Sequence, residues 1–248
     1  MKMRFFIVFF IVSLSVNAQN SGYIEYAYHT NRGITYETTG VLEFTRNQSK
    51  FTLLKSGNST IAEEVNDNEI DLISESKKRP TNYINLDSND LLSNVTLFKK
   101  VYVTQEAIPR ITWNIKNEFK LLNNIECQKA EGYFRGRTYT VWFANKLTLP
   151  FGPWKLQGLP GIIMEARDSK NEIYFRAKKI KLGESIQINY PKEVSYITLK
   201  EFIKLKPKIF KEREEMLKSK MPRSNTVFKL QMPPRTSQRE IIYEWEEN

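Results

Sequence analysis

From Tyr23 onward, apolar and polar positions alternate in short runs, broken about every ten residues by Gly, Asn, Asp, Ser or Pro. A period of two puts Ile24, Tyr26 and Tyr28 on one face of a first strand, as in a ribbon buried on one side only. The same reading predicts strands at 23–29, 40–45, 50–54, 69–74, 82–86, 97–104 and 110–115, with two more at 162–167 and 172–181. The clearest hairpin lies between Ile125 and Ala144, where Arg135 and Gly136 interrupt two β-rich runs. A turn on those two residues sets Ala130 opposite Val141 and Lys129 opposite Trp142. Phe134, Ala130, Tyr139, Val141 and Phe143 then share the core face, with Cys127 and Trp142 on the other.

After Pro191 the period changes. Thr198 and Glu201 form a capping box that opens a helix bearing Phe202, Ile203 and Leu205. Pro207 is expected to kink or end it, with a second helical run at 208–220. The polar stretch 221–238, with Pro222, Pro233 and Pro234, reads as an extended arm, and 241–245 as a last strand. The expected fold is mainly β: an antiparallel meander forming a curved sheet or half-barrel, with one or two C-terminal helices. The β domain is placed at 19–190 and the helical and extended region at 191–248.

The first residues follow a different logic. Lys2 and Arg4 precede an apolar stretch from Phe5 to Ile11 that continues through Leu14 and Val16 to the small Ala18. This is the pattern of a cleavable export signal, shorter than the about 20 apolar residues a membrane span needs. Cleavage after Ala18 is expected, giving a periplasmic or secreted product with no membrane span. A lipid anchor would require a cysteine directly after the cleavage site, and the single cysteine is Cys127.

Charge and residue inventory narrow the chemistry. Removing Lys2 and Arg4 takes the net charge from +10 to +8, a basic balance that favours acidic partners such as lipid head groups or anionic glycans. Export argues against nucleic acid. One cysteine excludes an internal disulfide and points to a small buried apolar residue. One histidine, His29, excludes zinc sites built on several histidines, and no HExxH, GxSxG, P-loop or dinucleotide fingerprint occurs. The residues therefore assign no catalytic group, no metal ligand and no cofactor.

The most distinctive stretch is 150–163, PFGPWKLQGLPGII, with three prolines and three glycines around Trp154. Prolines fix φ and glycines open conformations closed to other residues, so this is a structured loop between two strands, with Gly161 expected at positive φ. Trp154 and Leu159 are too apolar to be left in water: they either plug one end of the sheet or line a pocket there.

Here the chain resembles the GLPGLI family of exported Bacteroidetes proteins, with Ile162 in place of the family's leucine. The likeness extends through Trp113, Glu118, the IECQKA run at 125–130, Gly136, Arg137, Trp142, Gly152 and Pro153, and includes the early SGYIEY strand. The resemblance implies an envelope location and supplies no catalytic residues. The function expected is a non-enzymatic binding or carrier module for an apolar or amphipathic ligand. Trp142, Trp154, Leu159, Pro160 and Gly161 are its candidate contact residues. A protein-interaction or assembly factor is the alternative, and an enzyme of unrecognised type the third reading.

Overall fold

A computed structural model describes residues 20–33, 35–54, 79–98, 100–191, 195–220 and 229–246. The export signal expected at 1–18 and the strand expected at 69–74 lie outside the described residues. Strands β1 (Gly22–Asn31), β2 (Thr35–Phe44), β3 (Gln48–Leu53), β4 (Thr81–Asn85), β5 (Asp90–Leu97) and β6 (Lys100–Ala107) run as successive antiparallel neighbours. The chain then passes to the opposite edge. There β7 (Trp113–Leu122), β8 (Ile125–Phe134), β9 (Arg137–Ala144), β10 (Ile162–Asp168) and β11 (Ile173–Leu182) return by antiparallel steps until β11 pairs with β1. A short β12 (Tyr196–Thr198) adds in parallel to β6. The result is one open 12-stranded sheet whose edges are β12 and β7.

The first strand alternates as its sequence predicts: Ile24, Tyr26 and Tyr28 are fully buried. The β8–β9 hairpin has the predicted register, with Ala130 opposite Val141 and Lys129 opposite Trp142. Arg135 (φ 49°) and Gly136 (φ 85°) both take positive φ, the geometry of a two-residue turn matched to strand twist. Phe134, Ala130, Tyr139, Val141 and Phe143 are buried together.

Three expectations change. The run at 97–104 is split, because Leu97 pairs with Lys100 across a turn, and β5 occupies a segment whose Asp, Ser and Asn residues read as loop. Those polar groups are accommodated laterally: Asn82 donates to Ser93 Oγ across the β4–β5 pair at 2.8 Å. The two helices are one, α1 (Leu199–Lys220), which continues through Pro207 at the loss of one backbone hydrogen bond. Its N-terminus is the expected capping box, with the amide of Glu201 donating to Thr198 Oγ1 at 3.2 Å and that of Thr198 to the Glu201 carboxylate at 3.1 Å. The strand expected at 241–245 is absent; the amide of Ile241 donates to the Arg135 carbonyl at 2.9 Å, and Glu244–Glu246 form a 3-10 turn. No helix among the described residues is long and apolar enough to cross a membrane.

Residues 147–163 cap one end of the main core. Phe151, Leu156 and Leu159 are essentially fully buried there, together with Ile162 and Ile163. The C-terminal arm, the described segment 229–246, packs beside them over the Arg135–Gly136 turn, where a Cβ on Gly136 would meet Ile241 at 2.7 Å.

Candidate ligand-binding cleft

A row of directly paired residues crosses six strands: Ile24, Leu42, Phe51, Asn82, Ser93 and Thr104. Paired residues share a face, so along this row the core side is apolar over β1–β3 and carries an amide and two hydroxyls over β4–β6. Above the polar half lies a cleft of about 320 Å³. Its floor includes Asn82, Ser93 and Thr104. One wall is Trp154 and Lys155 from the proline- and glycine-rich loop, and the other is Leu199, Phe202 and Lys206 from α1. Arg239, Glu240 and Tyr243 of the C-terminal arm close the rim, joined by Arg32 after β1.

The loop sets the position of Trp154. The Gly158 amide donates to the Pro150 carbonyl at 3.0 Å, and that of Ile163 to Phe151 at 2.9 Å. Trp113 Nε1 donates to the Gln157 carbonyl at 2.8 Å, tying the loop to β7. Trp154 itself has φ of 60°, a left-handed conformation that costs a bulky residue about 1 kcal/mol or more and persists only where the surroundings hold it. Here they do: its ring packs 5.6 Å from Phe134, and the Arg239 guanidinium lies 5.8 Å from it and 4.8 Å from Tyr28.

Charge is concentrated around this end of the molecule. Arg135, nearly inaccessible, pairs with Glu106, Glu240 and Glu244, and Lys155 bridges Glu106 at 2.7 Å and Glu240 at 2.9 Å. Burial opposes the charge on Glu240, but Lys155 and Arg135 overcome it and hold the carboxyl below its usual range. Glu106 and Glu240 thus converge as the acidic half of an ion-pair network, and Glu240, kept ionised, is unsuited to deliver a proton near neutral pH. Arg137 anchors the arm beside it, pairing with Asp168 and Glu172 at 2.7 Å each and donating to the carbonyls of Thr236, Gln238 and Arg239. Against the upward push of burial, Arg239 and Arg32 pull the phenol of Tyr28 below its ordinary range.

Lys206 stands apart from these networks. Its ammonium lies 5.6 Å over the Phe202 ring and 3.4 Å from Gln238 Oε1, with no carboxylate at ion-pair distance among the described residues. Burial lowers its pKa, Glu240 opposes that shift, and Arg235 and Lys155 add to it.

The five residues singled out in the sequence are not brought together. Trp154 lines the cleft; Leu159 is a core plug, and Pro160 is exposed beside it. Trp142 alternates away from Val141 and Phe143 on the other face of β9, with Lys120 Nζ 4.3 Å above its ring. Gly161 does not have the expected positive φ; it is glycine because a Cβ there would stand 2.2 Å from the Ala144 carbonyl oxygen. Cys127 is fully buried, and burial pushes its thiol up to about 11. Sequence reasoning missed Arg32, Lys155, Lys206, Arg239 and Glu240. Lys155 alone carried a signal, as the single charge between Lys146 and Glu165 in a loop too apolar to leave it unpaired.

No protein-family model matches the chain, and no curated protein matches it in sequence. Among solved structures, PNGF-II in the C2 space group superposes with a TM-score of 0.52 at 14% identity, over 75% of this chain and 32% of that one. The chain therefore spans about a third of PNGF-II, and the likeness is one of fold. An uncharacterized conserved protein from Thermus thermophilus gives a TM-score of 0.40 at 9% identity, over 73% of this chain and 92% of that one. A LolA superfamily protein from Nitrosomonas europaea gives 0.31 at 10% identity, over 68% and 88% respectively. These two superpose too loosely to say more.

Proposed function

We propose that the chain is an exported protein of the GLPGLI kind that acts as a non-enzymatic binding or carrier module for an amphipathic ligand seated against Trp154. The observation that carries this reading is the preformed cleft, in which the aromatic side chains of Trp154, Phe202 and Tyr243 stand beside four cations and one carboxylate. Small-molecule sites combine apolar lining with a few placed polar groups, and this cleft has both. The leader-like first 18 residues and the PFGPWKLQGLPGII segment support the envelope setting.

Native mass spectrometry of the protein purified from its own envelope tests the reading. The expected spectrum contains a bound species that Trp154→Ala loses while the far-UV circular dichroism stays β-rich. Repeated recovery of the wild type without any bound molecule would count against carriage.

A second reading has its own observation. The edge strand β7 pairs on one side only and exposes Ile115, Phe119 and Leu121, the last 71% accessible. Exposed apolar edges are where another chain can add a strand. An empty protein that cross-links to an envelope partner through β7 would favour this assembly role.

A further inference from the structure

Resting on the cleft being the ligand site, we propose that the ligand enters it head first: an anionic group, phosphate or carboxylate, pairs with Lys206 over the Asn82–Ser93–Thr104 floor, and any acyl chain stays outside.

The floor is the first argument. An acyl chain gains by leaving water for an apolar surface, and the apolar half of this row, Ile24 to Phe51, is already covered by the packed core. Below the aromatic walls, the floor offers an amide and two hydroxyls; Asn82 donates to Ser93 Oγ and Thr104 Oγ1 to the Ser93 carbonyl, and the hydrogen-bonding capacity left over is met by a polar head and not by a methylene chain.

The cations around the cleft differ in how far their donors are already engaged. Lys155 is neutralised by Glu106 and Glu240. Arg239 donates to Tyr28 Oη at 3.1 Å, and Arg32 donates to the Ser237 carbonyl at 2.9 Å and Thr30 Oγ1 at 2.9 Å. Lys206 is the cleft cation left with only the Phe202 ring and one long hydrogen bond to a neutral amide among the described residues. A half-buried ammonium beside other cations is held in an unfavourable state that an incoming anion relieves, and the depressed pKa of Lys206 agrees with that geometry. Volume is the third argument. A cleft of about 320 Å³ sits at the bottom of the roughly 300–1,000 Å³ typical of ligand sites, enough for a head group and too little for a whole lipid.

Equilibrium titrations of the mature chain with decyl phosphate, inorganic phosphate and decanol provide the test. Decyl phosphate is expected to bind, and decanol at the same concentration to fail to displace it. Lys206→Met should weaken decyl phosphate binding about tenfold or more, the loss of one charge-assisted contact, and Lys206→Arg should restore most of it. Thermal melts of both variants within the wild-type range would show that the fold is intact. Displacement by inorganic phosphate would identify a free anion as the source, and its failure to displace a lipid head group; either supports the assignment provided Lys206→Met shows the loss. Decanol binding as tightly as decyl phosphate, with Lys206→Met unaffected, would overturn head-first entry and leave the cleft as an apolar site. No binding of either amphiphile would instead overturn the cleft as the ligand site.

Discussion

Gly161 lies with its Cα against the backbone of Ala144, and the contact leaves no room for even a methyl group. Gly161→Ala is therefore expected to destabilise the protein by about 1–3 kcal/mol through a forced shift of the loop away from β9, without any change of φ class. A lower urea midpoint with an unchanged slope would register it; an unaltered midpoint would show that the loop yields freely. The glycine's importance was legible in the sequence, but its reason was not. Positive φ is a local property that a Pro/Gly spelling can signal, whereas close approach depends on a carbonyl from a strand 17 positions earlier. The same holds for Lys155. A lone charge in an apolar loop announces that it needs partners, but Glu106 and Glu240 come from distant parts of the chain and no spacing names them.

Among the elements, those fixed by local chemistry were the legible ones. The β8–β9 hairpin needs only two residues able to take positive φ between β-rich runs, and the α1 cap needs only Thr198 and Glu201, so both read correctly. Strand β5 was illegible because its polar residues resemble a loop until β4 and β6 supply their lateral partners. Helix α1 was misdivided because Pro207 is a breaker by local rules, yet contacts on both sides of it hold the helix down. Phe202 meets Tyr102 at 5.2 Å, and Phe210 meets Phe98 at 4.8 Å. Tertiary contact thus outweighs an intrinsic penalty of about 3 kcal/mol. Pro207→Ala should recover up to about 3 kcal/mol of helix stability, seen as slower amide hydrogen exchange over the middle of α1. Exchange that is equally fast in the variant would mean that the proline carries no cost there.

At the scale of the whole molecule, the C-terminal arm is held by charge. Glu240 has a folded-state pKa below its ordinary value of 4.5, so its contribution to stability is present above that value and is lost as pH falls through the depressed one. Urea melts should therefore show a stability that drops below about pH 4.5, with the drop shallower in Glu240→Gln. At neutral pH the same variant should be weaker than wild type by about 1–3 kcal/mol, because Arg135 and Lys155 lose one charged partner but keep Glu106. An acid limb of the same steepness in the variant would assign the effect to other carboxylates. The meander itself was readable from turn spacing. The order in which its two halves join was not, since nothing in β1 or β11 alone says that they are neighbours. That junction has a kinetic consequence: the nine paired positions of β1 and β11 link Gly22 to Leu182, so the middle of the sheet waits for a strand about 150 residues further along the chain. Until β11 arrives, β1 has one bare side, and contacts so distant along the sequence make for slow folding. The central seam thus closes only after β11 has been made, and in a chain this basic, mutual repulsion among copies opposes their association in the interval.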